Sequence, residues 1–213
     1  MTFYPEILTS TQQKVLHRIG ALLSKQGWYL GGGTALALLL GHRKSVDLDW
    51  FTADKVKDSQ KIGHWLNDEN INIVVKSAER GTLHGTIQRV RISLFEYRYP
   101  LLQQLIYWPE AGCDLASLDD LACMKLSAVA QRGSRKDFID IYALVQKHRP
   151  LGELLGLYQK KYDVNTIAPL LYGLSYFEDA DRERNPQMIW NVSWREVKRF
   201  IQESVRNFMQ DLS

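Results

Sequence analysis

The chain has 213 residues, a length that fits one large domain or two small ones. Hydrophobic residues make up 45% of it and charged residues 24%, which argues against disorder and coiled coil. The longest apolar run, Ala35 to Leu40, is far shorter than the roughly 18 residues of a membrane span, and no secretory signal pattern opens the chain. We therefore expect a cytoplasmic protein with no membrane partner. The formal charge of +3 is too small to indicate nucleic-acid binding by itself.

Cysteine and histidine spacing excludes several kinds of site. Cys113 and Cys123 are the two cysteines, and neither a CxxC pair nor nearby histidines accompany them. This excludes a disulfide scaffold and a zinc ribbon, and it predicts two reduced structural thiols. No Gly-x-Ser-x-Gly elbow for a serine nucleophile occurs. The histidines are scattered without ligand spacing: His17, His42, His64, His84 and His148.

The first half of the chain predicts alternating helices and strands. Apolar residues three and four apart indicate helices, and strict alternation indicates strands. Glycines at positions 27 and 41 are expected to end the first two helices. In chain order the predicted elements are a helix over 9–26, a strand over 28–30, a helix over 34–40, a strand over 46–51, a helix over 60–67, a strand over 71–75 and one or two strands within 83–97.

From Ser117 onward the pattern becomes helical throughout. Polar starts at 117–120 and 134–137 resemble capping boxes, and each precedes apolar residues at helical spacing. Residues 178–186 lack periodicity and predict a loop. The predicted helices lie near 118–131, 135–148, 151–161, 165–176 and 193–211. We therefore expect an α+β protein, with a small mixed β-sheet domain over residues 1–112 and a helical domain over residues 113–213.

A glycine turn between a strand and a helix is the most informative segment of the first half. It lacks the lysine of a Walker loop and the glycine spacing of a dinucleotide fingerprint. Gly32 and Gly33 nevertheless let a phosphate approach the backbone closely, and the free amides of the following helix N-terminus attract an anion. Arg43 and Ser45 are further candidates for phosphate contacts.

Two aspartates follow on the next predicted strand. Asp47 and Asp49 alternate with apolar residues, so both carboxylates face the same side, with Cα atoms roughly 6.6 Å apart. Mg²⁺ takes carboxylate and phosphate oxygens, so the pair predicts a Mg²⁺ site for a bound nucleoside triphosphate. The alternative is a solvated edge strand that happens to read Asp-x-Asp. The rarity of aspartate in strands and the repulsion between two carboxylates on one face favour the metal.

Charged residues on two predicted helices of the second half form another candidate group. Lys125 lies on the first helix, and Lys136, Asp137 and Asp140 open the next. Ordinary structural interpretations also exist. Asp137 closes a capping box with Ser134, Lys136 and Asp140 form an i,i+4 pair, and Lys125 is a solvated surface lysine. The residues by themselves leave both interpretations open.

The order of these residues resembles a known family. Gly32-Gly33-Thr34, followed by Arg43-x-Ser45-x-Asp47-x-Asp49, is similar to the first motif of the AbiEii/AbiGii-type toxin nucleotidyltransferases, within the DNA polymerase β-like nucleotidyltransferase superfamily. Lys125-Leu126 and then Lys136-Asp137-x-x-Asp140 resemble the family's helical second motif. The resemblance covers about residues 28–145.

The resemblance implies a Mg²⁺-dependent enzyme that transfers a nucleoside monophosphate, with its active site in a cleft between a nucleotidyltransferase domain and the helical domain. It implies catalytic roles for Asp47, Asp49, Lys125, Asp137 and Asp140, with Mg²⁺ held by the first two. It implies nucleotide binding by Gly32, Gly33, Thr34, Arg43, Ser45 and Lys136. It further implies the toxin of a toxin–antitoxin or phage-defence pair, whose acceptor is the 3′ end of a tRNA, another RNA or a protein hydroxyl, and a cognate antitoxin.

One departure from the family pattern concerns the strand predicted near residues 90–96. Related enzymes place a third carboxylate there as general base, whereas this chain presents Ser93 at the matching position, and Glu96 has the wrong parity unless a bulge intervenes. Asp137 or Asp140 supplies the base, or a single metal suffices, or the protein binds nucleotide without turnover. A small-molecule nucleotidyltransferase of the antibiotic-modifying kind, which shares the first motif, is a further alternative.

Overall fold

The computed structural model describes residues 2–211, which divide into two compact units. The first unit comprises the residues up to 39 together with 45–100 and 104–117. The second comprises 40–44, 101–103 and the residues from 118 onward. Two short segments of the first half of the chain therefore belong to the second unit.

A seven-stranded mixed sheet forms the centre of the first unit. Its order is β3-β4-β5-β2-β1-β7-β6, with β2 parallel to β5 and β1 parallel to β7. The strands are β1 (Tyr29–Leu30), β2 (Asp47–Thr52), β3 (Val74–Glu79), β4 (Thr82–Ile87), β5 (Val90–Glu96), β6 (Ile106–Trp108) and β7 (Cys113–Leu115). The mixed sheet and the helices of the second unit confirm the predicted α+β fold.

Alternation along the strands gives the sheet a buried face and a half-exposed face. On β2 the residues Leu48, Trp50 and Thr52 are buried, and β4 alternates in the same way. Helix α1 (Ser10–Lys25) contacts β5 and β7, while α3 (Ser59–Asp68) contacts β3 and β4. Helices can cover the buried face, and the two aspartates of β2, Asp47 and Asp49, lie on the other face.

Helix α2 (Gly32–Leu40) directly follows β1 and begins at the glycine turn. Gly41, in the left-handed region at φ 66°, follows its last residue, as the sequence predicts. The α1 boundaries also match the prediction, because Thr9 and Gln12 form a capping box at its start.

Helices make up the second unit. They are α4 (Leu118–Gln131), α5 (Arg135–Lys147), α6 (Leu151–Tyr162), α7 (Ala168–Ser175), α8 (Glu178–Arg182) and α9 (Trp194–Asp211). Helix α4 lies at the centre, in contact with α5, α6 and α7. Five of the six were predicted, with ends that differ by at most a few residues. Within residues 2–211 no helix is long and apolar enough to cross a membrane.

The structure differs from the predicted elements in three places. The strand expected over 71–75 begins at Val74, because Ile71 and Ile73 are buried beside the end of α3, where the Ile71 amide donates to the Leu66 carbonyl. The two short strands β6 and β7 were not predicted, since three residues are too few to show alternation. The loop expected over 178–186 begins with α8, whose buried Ala180 accepts a hydrogen bond from the Arg135 guanidinium through its carbonyl.

Candidate active site

The glycine turn and the aspartate strand lie directly against each other. The Gly31 amide donates to the Asp49 carbonyl at 2.8 Å. Gly32 has φ 61°, and a Cβ atom on it would lie 2.8 Å from an Asp49 carboxylate oxygen. The first amides of an α-helix have no partner within the helix, so the α2 N-terminus offers donors to an anion close to this carboxylate.

Thr34 and Ser45 fix the spacing between α2 and β2. The buried Thr34 hydroxyl lies 2.8 Å from the Ser45 hydroxyl and donates to the Asp47 carbonyl. The Ser45 carbonyl in turn accepts from the Gln12 side chain at 2.9 Å. The contacts of both hydroxyls therefore hold the strand on the helix, which leaves the backbone amides as the groups of this turn that could receive an anion.

Asp47 and Asp49 lie on the half-exposed face of the sheet. On the parallel neighbour β5, Asp47 pairs with Arg91 and Asp49 pairs with Ser93. The Arg91 Nε donates to Asp47 Oδ1, in an ion pair whose carboxylate side chain is 30% exposed. We call this surface the carboxylate face. Its members on the adjacent strands β4, β5 and β2 are Asp47, Asp49, Phe51, Thr82, His84, Thr86, Arg91, Ser93 and Phe95.

The register of β5 settles which residue stands beside Asp49. Pairing of β2 with β5 runs without a bulge from Asp47 to Thr52, which lies opposite Glu96. Ser93 therefore occupies the position next to Asp49, as the alternation predicts. The Glu96 carboxylate instead accepts from the Val56 amide at 2.8 Å and pairs with Arg98 at 2.5 Å. These contacts hold the loop after β2.

His84 is a residue of this face that the sequence interpretation missed. It pairs with Ser93 across β4 and β5, and its Nδ1 lies 3.2 Å from the Ser93 hydroxyl. His84 is half-buried. The alternation of β4 predicts that His84 lies on the less buried face of its strand. That its neighbour on this face is Ser93 depends on the order of the strands, which the sequence does not show.

The donor set fits a hard divalent cation. Two carboxylates on one face, with phosphates of a bound nucleotide completing the shell, are ligands that Mg²⁺ takes. In the described part of the chain no group of three or more His, Cys, Asp or Glu side chains is placed to hold a metal. Asp47 and Asp49 thus fit Mg²⁺ as the protein's share of a site that the substrate completes.

The second unit buries the other predicted group in a network around Asp140. Its carboxylate accepts from His42 Nε2 at 2.7 Å, from Arg43 Nε at 2.7 Å and from Arg43 Nη2 at 2.8 Å. Lys125 Nζ lies 2.7 Å from its second oxygen. Two of the three guanidinium nitrogens of Arg43, Nε and Nη2, therefore donate to Asp140. The third, Nη1, donates to the Lys44 carbonyl at 2.9 Å.

Asp137 forms the other half of this network. Lys125 Nζ donates to it at 3.1 Å and the Ser134 hydroxyl at 2.5 Å. Arg132 adds two contacts at 2.9 and 3.1 Å. The Ser134 side chain thus donates to Asp137 instead of accepting from the backbone, so the capping box considered above is not formed.

These contacts decide several of the open interpretations. Lys125 is 5% exposed, so the interpretation as a solvated surface lysine is wrong. Asp140 pairs with Arg43, His42 and Lys125, which replaces the expected pair with Lys136. Lys136 is exposed. The structure therefore brings Arg43, Lys125, Asp137 and Asp140 together, and it places the glycine turn with Asp47 and Asp49.

Burial and charge act in opposite directions on the network's pKa values. Burial raises the pKa of Asp140, but the Arg43 and Lys125 charges and the His42 and Arg43 hydrogen bonds hold it well below its usual range. Burial also raises the pKa of Asp137, but the Lys125 charge and the hydrogen bonds from Arg132 and Ser134 lower it further, so this pKa lies below its usual value. Burial lowers the pKa of His42, and its hydrogen bond to Asp140 only partly compensates. Carboxylates with lowered pKa values are poor proton acceptors.

The network predicts that acid destabilises the protein in two steps. The folded-state pKa of His42 lies below 6.5, so the unfolded chain takes up this proton first and stability falls as the pH drops below 6.5. The folded-state pKa values of Asp137 and Asp140 lie below 3.8, so their contribution is complete above about pH 5 and is lost progressively as the pH falls from there. Urea unfolding at pH 8, 6, 5 and 3.5 measures both steps. A free energy of unfolding that stays constant over this range would contradict the prediction.

The contact between Gly32 and Asp49 predicts a large effect of Gly32→Ala. The new Cβ would displace the Asp49 carboxylate, and the left-handed φ costs a residue with a Cβ about 1–2 kcal/mol. We expect this loss in urea unfolding and, for the nucleotidyl transfer that the resemblance implies, a loss of activity of at least about tenfold, equivalent to about 1.4 kcal/mol. Gly156→Ala is the control, because Gly156 lies exposed in α6 with no atom within 4 Å of an added Cβ. Equal behaviour of the two variants would contradict the prediction.

Comparisons with known proteins show the family to which this chain belongs. The family model described as "Nucleotidyl transferase AbiEii toxin, Type IV TA system" matches residues 14–211. The uncharacterized protein aq_aa25 of Aquifex aeolicus (strain VF5) is 36% identical over 206 residues, which are 96% of this chain and 98% of that protein. The family match extends well beyond residues 28–145, where the motifs lie, and includes the helices of the second unit.

Solved structures share the fold at low identity. MenT4, the nucleotidyltransferase toxin Rv2826c from Mycobacterium tuberculosis H37Rv, superposes with a TM-score of 0.57 at 16% identity, over 95% of this chain and 84% of that one. JHP933 from Helicobacter pylori superposes with a TM-score of 0.55 at 16% identity, over 99% and 95%. The resemblance inferred from the motifs is confirmed by a family match over nearly the whole chain, and the protein is a nucleotidyltransferase of the AbiEii toxin family, which belongs to type IV toxin–antitoxin systems.

Proposed function

We propose that this toxin transfers a nucleoside monophosphate from a Mg²⁺-bound nucleoside triphosphate to the 3′ end of an RNA such as a tRNA. The observation that carries the proposal is the contact between the glycine turn and Asp49, which sets an anion-binding helix N-terminus beside two carboxylates on one face. Type IV toxin–antitoxin membership implies a triphosphate substrate and an antitoxin partner. The nucleotide, the metal and the acceptor are the proposed elements.

In this proposal the glycine turn binds the triphosphate and the aspartates hold the metal. Gly32 and Gly33, with the backbone of Thr34, donate amides to the phosphates, and Asp47 and Asp49 hold Mg²⁺. When bound, the cation supplies charge stabilisation for the phosphoryl oxygens. The protein's part is to fix the triphosphate in position.

In this proposal Arg43 and Lys125 do not contact the phosphates but hold buried carboxylates in place. Arg43 donates all of its fork to Asp140 and the Lys44 carbonyl, and Lys125 lies between two buried carboxylates. These contacts favour an anchoring role for both cations over a direct contact with phosphate. Asp140 holds Arg43, which lies two residues before Ser45 in the chain. The exposed Lys136 remains a candidate for phosphate contact.

An aromatic run on the carboxylate face favours RNA over a protein acceptor. Phe51 and Phe95 follow Asp49 and Ser93 by two residues, and their half-exposed rings stack with centroids 5.2 Å apart. The His84 ring contacts Phe95 edge-on at 5.5 Å. Unpaired bases stack on aromatic side chains of open sheets, and each stacked base contributes about 1–3 kcal/mol of binding. An RNA end with unpaired bases therefore matches this surface.

Transfer of label tests the proposal directly. Purified protein is incubated with Mg²⁺, each α-labelled nucleoside triphosphate in turn, and either total cellular RNA or a protein extract. We expect label in a tRNA-sized RNA band with one nucleotide, and none without Mg²⁺. Label in a protein band would overturn the RNA acceptor but keep nucleotidyl transfer. Nucleotide binding by calorimetry without any labelled product would instead support a protein that binds nucleotide without turnover.

A further inference from the structure

Three neighbouring strands bring Asp49, Ser93 and His84 into one row across the carboxylate face. Asp49 pairs with Ser93, and Ser93 pairs with His84. Adjacent strands lie about 4.8 Å apart, so the His84 backbone is roughly 10 Å from that of Asp49, a span that two side chains and a bound substrate group can fill. His84 Nδ1 lies 3.2 Å from the Ser93 hydroxyl, which orients the ring and leaves Nε2 as its second nitrogen.

Nucleotidyl transfer needs a proton acceptor. The oxygen of the acceptor hydroxyl forms a bond to the α-phosphorus, the bond from that phosphorus to the bridging oxygen of pyrophosphate breaks, and the hydroxyl proton must leave. Pyrophosphate departs with the electron pair of the broken bond. A side chain near the reacting oxygen that takes this proton raises the rate by about 10²–10⁴-fold.

The carboxylate face offers few groups that can accept the proton. A guanidinium such as that of Arg91 offers only hydrogen-bond donors, and the hydroxyls of Ser93 and Thr86 are weak bases. Asp47 and Asp49 are engaged as candidate metal ligands. Asp137 and Asp140 are buried in the second unit, where their carboxylates accept from cationic side chains. Among the described residues of this face, His84 is the one imidazole.

We propose that His84 is the general base of the reaction, taking the proton of the acceptor hydroxyl on Nε2 while Ser93 orients the ring through Nδ1. His84 and Ser93 together thus replace the carboxylate that related enzymes place on this strand. This inference rests on the proposed nucleotidyl transfer. The charged groups that face or flank His84 are Arg91 on β5, Asp47 and Asp49 on β2, and Lys76 and Glu79 on β3.

Removal of the imidazole tests the proposal. We expect His84→Asn to lower kcat for label transfer by about 100-fold or more, with KM for the nucleotide changed by less than about threefold. The acidic limb of the wild-type pH–rate profile should disappear in the variant. The matched control is His64→Asn, an exposed histidine on α3, which should behave as wild type. Circular dichroism and urea unfolding verify that both variants fold.

Chemical rescue separates a catalytic from a structural role. Added imidazole should restore at least about tenfold of the transfer lost in His84→Ala, because the free base enters the space that the ring leaves. Ser93→Ala should lose less than tenfold, since the imidazole remains. Equal losses in Ser93→Ala and His84→Ala without rescue would mean that the pair is only structural and would overturn the proposal.

The outcomes distinguish this inference from the proposed function. If His84→Asn transfers label within about threefold of the wild-type rate and with the wild-type pH profile, His84 is not the general base. Nucleotidyl transfer itself is then unaffected. Wild-type protein that transfers no label to any acceptor overturns both.

Discussion

Replacement of Asp47 and Asp49 by asparagine together is expected to lower nucleotidyl transfer by at least about 10³-fold, which corresponds to about 4 kcal/mol of transition-state stabilisation. Both side chains lie on the half-exposed face of β2 beside the glycine turn. Asparagine keeps their size but removes the two negative charges that a hard cation needs. The free energy of unfolding should change by less than about 1 kcal/mol, because both side chains are half-exposed and the ion pair of Asp47 with Arg91 is open to solvent.

Two measurements check this prediction. Label transfer gives the loss in rate, and calorimetric titration with Mn²⁺ in the presence of nucleotide gives the loss in metal affinity. The control is Asp68→Asn, which replaces an exposed aspartate at the end of α3. This variant should keep the wild-type transfer rate and metal affinity. If the double variant transfers label as fast as wild type, these carboxylates do not hold the catalytic metal.

The Asp140→Asn substitution is expected to lower the free energy of unfolding by about 3–5 kcal/mol, because it leaves buried cations with less compensating charge. Asp140 is fully buried and accepts from Arg43, His42 and Lys125. A loss of this size is a large part of the 5–15 kcal/mol that stabilises a typical domain. Urea unfolding of the purified variant measures it.

A surface substitution of the same chemical kind provides the control. Glu203 pairs with Arg199 along α9 at 3.9 Å, with both side chains more than half exposed. Glu203→Gln should therefore change stability by less than about 1 kcal/mol. If Asp140→Asn instead keeps wild-type stability but loses label transfer, Asp140 acts in the reaction itself and the anchoring role proposed for it is wrong.

Local sequence patterns predicted most of the elements. Helices such as α1 and α5 follow from apolar residues three and four apart, and this spacing depends only on the geometry of the element itself. The pairing of Asp47 and Asp49 on one face follows from strand alternation in the same way. Strands of three residues, such as β6 and β7, are too short for alternation to define them.

The charged motif of the second half shows what local sequence patterns do not predict, namely contacts with distant segments of the chain. Lys125, Asp137 and Asp140 have the spacing expected for a solvated helix face, a capping box or a binding site alike. Their burial depends on Arg43, which is 97 positions from Asp140 in the chain. A charge pattern along one helix does not reveal a partner supplied by a distant segment.

The sequence by itself determined the alternation of the aspartate strand and the glycine turn before α2, because each depends on residues close together in the chain. The order of the motifs indicated the family, and alternation fixed the side of its strand that Ser93 faces, whereas the place of Ser93 beside Asp49 depends on strand order and was expected from the resemblance. Tertiary structure alone decided that Asp140 binds Arg43 and that His84 stands beside Ser93. Both contacts arise from strand order and helix packing, which bury apolar faces against one another and bring distant polar residues together as a consequence.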